Sequence, residues 1–238
     1  MQKEYRTKSQ NKFVKFRKIV LISTIALVFP ICLGIYTLLG GRAYALMSML
    51  FVILAILPFL MIYEMKKPQA REWIPLAVMA ALAAVGRVAF APVPFFKPTS
   101  AIIIITASVF GPEAGFLTGT MAALASNLFF GQGPWTPWQM FSWGMIGLLA
   151  GLMAEPLKRS KIVLTVFAVF SGVLYSLLMD IWTVLWADGY FNFSRYLAAI
   201  LSAAQFTAVY AVSNVIFLLL LAKPIGKILN RVTVKYGL

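Results

Sequence analysis

The chain has 238 residues, of which 61% are hydrophobic and 12% charged. Soluble domains hold roughly 45–50% apolar and 25% charged residues, so this composition, with a mean hydropathy of +0.88, predicts an integral membrane protein. Histidine is absent and Cys32 is the single cysteine, which leaves no disulfide framework and no Cys/His metal site. The formal net charge of +14 is spread over short segments between apolar stretches, a pattern of membrane topology rather than of nucleic-acid binding.

In chain order, residues 1–18 form a basic tail, followed by two apolar stretches, 19–39 and 43–63, that carry almost no polar side chains and suit packing or anchoring. This N-terminal pair, residues 19–63, ends at the linker EMKKPQAREW, residues 64–73. The first stretch has a basic flank like that of a signal peptide, but it is long for one and no small-residue cleavage site follows, so it is expected to be retained. Further spans are expected at 74–91, 116–130, 138–153, 162–185 and 196–221. Between them TSAIIIITASVF reaches only about 20 Å at 1.5 Å per residue, short of a roughly 30 Å hydrocarbon core. It must run into flanking residues or sit inside the bundle. The expectation is an all-α, multi-pass helical bundle of about eight helices, with a functional core over 74–222 and a second basic tail over 223–238.

Lys and Arg set the orientation. Placing the N-terminus in the cytoplasm gives the inner face Lys66, Lys67, Arg71, Lys158, Arg159, Lys161, Lys223 and Lys227, and leaves Arg42, Lys97 and Arg195 outside. Both termini are therefore expected to be cytoplasmic.

Polar character begins with the core. IPLAVMAALAAVGRVAF spaces Ala77 and Ala81, and Ala80 and Ala84, four apart, so a smooth stripe runs along this helix. Such a stripe serves packing within the bundle or docking of a partner helix. Gly115 with Gly119, and Gly147 with Gly151, repeat the spacing and are assigned to packing. Arg87 and Asp180 lie within spans, where ionisable groups are costly and face an interior or a water-filled cavity. They are expected either to pair with each other, with Arg87 snorkelling outward as a further structural reading, or to form the polar floor of a ligand site. Asn127, Gln132, Trp135, Trp138, Gln139, Trp143 and Tyr190 fall at a similar level, the outer half of the membrane. Interfacial aromatic belts account for some of the rings but not for the amides. The run GQGPWTPWQM therefore reads as a lid, with Pro and Gly fixing its turn. No P-loop, no candidate general base and no carboxylate pair occurs, so neither ATP binding by this chain nor hydrolytic catalysis is expected.

From Ile74 to about Leu221, the stretches AALAAVGRVAF, PVPFFKPTSAII, FGPEAGFLTGTMAALASN and FFGQGPWTPWQMFSWGMIGLLAGL together resemble the substrate-binding S components of energy-coupling factor (ECF) vitamin transporters. The resemblance covers the last two thirds of the chain and implies a six-helix core, to which the pair before Glu64 is an addition. It implies capture of a vitamin at the outer face and delivery inward with a transmembrane coupling subunit and two cytoplasmic ATPases. It also shifts the alanine stripe toward docking on that coupling subunit. The subgroup most similar through GQGPWTPWQM is the cobalamin-specific one, which implies cobalamin as a transported ligand rather than a resident cofactor. Riboflavin and thiamine are the alternatives within the family, and a membrane enzyme outside transport is a further one.

Overall fold

The computed structural model describes residues 70–237; the tail 1–18, the helix pair 19–63 with Cys32, and the linker up to residue 69 lie outside the described residues. Seven helices follow one another: α1 (Ala70–Ala89), α2 (Thr99–Phe110), α3 (Pro112–Phe130), α4 (Thr136–Leu152), α5 (Ala154–Arg159), α6 (Lys161–Asp188) and α7 (Phe193–Tyr236). Six are long and α5 is a short connector, and no strand occurs among the described residues. The protein is thus an all-α membrane-type bundle. Arg71–Ala89, α6 and α7 are each long and apolar enough to cross a bilayer.

The twelve-residue α2 explains its own shortness. Every residue from Thr99 to Ala107 is buried, with Ile102, Ile103, Ile104 and Ile105 at 3% exposure or less. A helix that is apolar all round belongs inside protein, and α2 touches each of the other described helices. Being surrounded by protein rather than lipid, it has no need to match the membrane thickness. Around it, α1, α6 and α7 turn Ile74, Val78, Val166, Leu201 and Leu220 outward, as lipid-facing helices do.

The closest packing joins α3 to α4. A Cβ placed on Gly147 would lie 2.1 Å from the Gly115 carbonyl oxygen, and one on Gly119 would lie 2.3 Å from that of Trp143. Backbone therefore meets backbone, and only glycine allows it. The packing role read from these spacings holds, with Gly151 closing the far end against Pro112.

At the other end of the chain, α7 continues for 44 residues, so the region 223–238 is helical as far as Tyr236 rather than an irregular tail. Its helical rise carries it about 66 Å, twice the hydrocarbon thickness. Asn192 caps its start by accepting from the Arg195 amide at 3.1 Å, and Ser160 caps α6 in the same way through Val163. Pro224 lies inside α7 and removes one backbone donor there.

Candidate functional site

Near the end of α1, the guanidinium of Arg87 enters the bundle rather than reaching for lipid. Its Nη1 donates to Ser126 Oγ at 2.7 Å and to Asn127 Oδ1 at 2.6 Å, both on α3. Charge-assisted bonds of this kind are about twice as strong as neutral ones. Asn127 is fully buried, and its amide nitrogen donates onward to Gln139 Oε1 at 2.8 Å and Thr136 Oγ1 at 2.9 Å, both on α4. The α3–α4 glycine contact brings these side chains within reach. Both Arg87 bonds leave from Nη1, and among the described residues Nε and Nη2 make no hydrogen bond.

An aromatic wall lies against this network. The Arg87 guanidinium sits 4.6 Å from the Phe130 ring centre and 5.0 Å from that of Trp143. Trp143 stacks on Tyr175 of α6 with centroids 5.0 Å apart and a 25° interplanar angle, and its Nε1 donates to the Tyr210 hydroxyl of α7 at 2.9 Å. Tyr210 also bonds Ser100 of α2. The Gln139 amide reaches the Tyr175 hydroxyl. Residues from all six long helices thus converge on one cluster.

The run Gly131–Gln139 is a tied corner rather than a free lid. Thr136 Oγ1 donates to Gln132 Oε1 at 3.0 Å and accepts from the Gly133 amide at 3.2 Å, while Gln132 Nε2 donates to the Leu124 carbonyl at 3.0 Å. Helix α4 already begins at Thr136, with Pro137 in its first turn, where a missing N–H is harmless. Trp135 folds back over Gly133 and stays 38% exposed at the rim.

Other candidate residues separate from the cluster. Arg87 and Asp180 do not form an ion pair; Asp180 is buried close to Tyr196 and flanked in sequence by Met179 and Ile181, which pack with Trp138, Trp182 and Leu185. Trp138 belongs to that second aromatic group and not to the Arg87 wall. Tyr190 is 58% exposed in the α6–α7 turn. The four alanines face two ways: Ala77 and Ala81 are exposed on the outer face of α1, while Ala80 and Ala84 are buried within the bundle.

Ser126, Phe130, Tyr175, Tyr210 and Lys97 join the site without having been singled out in the sequence. Tyr175 and Tyr210 offered a signal, since a tyrosine deep in an apolar span needs a partner for its hydroxyl. Lys97 comes from the α1–α2 loop, where its amide donates to Ser213 Oγ at 2.8 Å and its ammonium lies 4.9 Å from the Phe130 centre. Burial, and then the Arg87 charge, hold Lys97 below the usual lysine range. The neighbouring Phe95 adopts a left-handed φ of 60° and stacks on Phe206, which fixes the course of this loop.

A family described as "ECF-type riboflavin transporter, S component" matches residues 69–231. UPF0397 proteins are similar at lower coverage. One from Aliivibrio salmonicida is 30% identical over 147 residues, 60% of this chain and 77% of its own. One from Vibrio atlanticus is 30% identical over 156 residues, covering 62% and 80%, and one from Vibrio vulnificus is 31% identical over the same coverage. No solved structure gives a significant match.

Proposed function

The chain belongs to the ECF-type riboflavin transporter S-component family, and from that premise we propose that it captures a flat, hydrogen-bonding vitamin at the Arg87–Asn127–Gln139 cluster, with riboflavin the first candidate. The family makes it a transporter subunit and not an enzyme. The observation that carries the substrate reading is the pairing of an amide–guanidinium edge with the stacked Trp143 and Tyr175 rings. An isoalloxazine presents one aromatic face and one edge of alternating carbonyls and ring nitrogens, so it can stack on the wall and bond the edge. Cobalamin is the second reading, favoured by the exposed Trp135 and Tyr190 at the rim. Against it, Asn127, Gln132 and Gln139 already bond within the protein, which leaves few amides for a corrin edge.

S components of this kind work with a coupling subunit and two ATPases. Here Ala77 and Ala81, on the exposed face of α1, supply a surface smooth enough for a coupling helix, with the Lys- and Arg-rich end and both termini in the cytoplasm. Replacing Ala81 with Trp should abolish uptake and complex formation while ligand binding by the isolated protein persists. Ala84→Trp, at a buried position, should instead destabilise the fold by about 1–3 kcal/mol. Equal loss of binding and uptake in Ala81→Trp would return the stripe to internal packing.

Titration of riboflavin, cobalamin and thiamine into the purified full chain tests the substrate. Riboflavin should bind with its fluorescence quenched by the rings. Tight cobalamin binding without a riboflavin signal would replace the substrate while leaving the family intact.

A further inference from the structure

At the end of the bundle away from Arg87 lies a groove of about 530 Å³. Its walls come from the last turns of α2, the α5–α6 junction and α7 below Leu218. Ser213, which holds Lys97 near the outer cluster, precedes Lys223 by about 15 Å of helical rise, which places the groove well toward the other end. Ile104, Val109, Leu164 and Leu219 make it apolar, while Lys158, Arg159, Lys161, Lys223 and Lys227 line it with positive charge. Arg159 pairs with Glu155 at 3.2 Å. Among the described residues the four lysines make no ion pair.

Gly226 adds an independent observation. It lies inside α7, where glycine costs roughly 1 kcal/mol relative to alanine. Yet a Cβ there would meet nothing within 4 Å, unlike the glycines that join α3 to α4. No contact within the described protein requires glycine at this lining position.

We propose that this groove binds an anionic phospholipid, with the phosphate among the four lysines and an acyl chain against the apolar wall and Gly226. An apolar cleft edged by cations at the boundary of a bundle matches both halves of such a molecule. Free phosphate would use only the cations. Residues 1–18 hold seven Lys and Arg against Glu4 alone, so their charge does not complement the groove.

The test uses the full chain in nanodiscs, counting lipid retained after extraction by mass spectrometry. Phosphatidylglycerol should be retained over phosphatidylcholine, and Lys223→Gln with Lys227→Gln should weaken retention about thirtyfold, from roughly fivefold per lysine. Gly226→Leu should fold at least as stably in neutral detergent and still lose the bound phosphatidylglycerol. Lys235→Gln, beyond the groove, is the control. Equal retention of the two lipids, or unchanged retention in the double variant or in Gly226→Leu, overturns the proposal. So does competition by millimolar inorganic phosphate, which would mark a simple anion site, or preferential displacement by an acidic peptide, which would mark a protein-docking surface.

Discussion

The two ends of the bundle hold their positive charge in opposite ways. At the Arg87 cluster, the guanidinium is bonded to Ser126 and Asn127 and lies against two rings, so much of the charge is answered by the protein. At the groove, Lys158, Lys161, Lys223 and Lys227 have no ionic partner among the described residues. A charge held by buried partners is part of the architecture, whereas one left open at a bilayer boundary is available to an anionic headgroup, as proposed for the groove. Net charge alone conveys neither role.

The largest effect that would break this contrast is expected at the helix contact beneath the outer cluster. Gly147→Leu pushes a side chain into the Gly115 backbone and should cost about 3 kcal/mol or more. A thermal melt in detergent should fall, and ligand binding should go with it. An unshifted melt would mean that α3 and α4 do not need backbone contact.

Next in size is Arg87→Ala, which strips two bonds from buried acceptors at roughly 1.5–3 kcal/mol per charged hydrogen bond and should weaken ligand binding roughly tenfold to a hundredfold. Lys223→Gln, by contrast, should change stability by less than about 0.5 kcal/mol in neutral detergent. Comparable losses from the two variants would erase the distinction between the ends. Loss of stability in Arg87→Ala without a specific loss of affinity would assign Arg87 to structure alone.

The smallest effect concerns Lys97. Its folded pKa is lowered from 10.5, so the unfolded chain binds more protons just below that pH. Stability contributed by this group should therefore rise with pH as it crosses the folded pKa, and level off above 10.5. Lys97→Met should remove that increment from a series of melts at alkaline pH. An identical pH profile for wild type and variant would place the Lys97 ammonium in water.

Much of this architecture was legible because apolar stretches and small-residue spacings act locally. TSAIIIITASVF marked α2 at its true limits, and its shortness left two readings, extension into flanking residues or a place inside the bundle, of which the second holds. The Gly115, Gly119, Gly147 and Gly151 spacings announced close packing without naming the partner. What the sequence could not show was rotation about a helix axis. Ala77 and Ala80 are three apart, yet one faces outward and the other inward, because the bundle boundary falls between them. The same limit hid the separation of Asp180 from Arg87 and the packing of Trp138 with Trp182 and Leu185. Tyr175 and Tyr210 were missed because apolar neighbours masked their hydroxyls.

The backbone contact between α3 and α4 also restricts how the molecule can open. Helices that touch through carbonyl oxygens and glycine, with the Phe116 ring seated on Gly144, have little room to slide past one another and are expected to move together. The corner from Gly131 to Trp135 then has both ends anchored to the same rigid body and cannot serve as its hinge. The α6–α7 pair is joined to these helices through Trp143, Tyr175 and Tyr210. Those three side chains carry the contact between the α3–α4 unit and the α6–α7 pair.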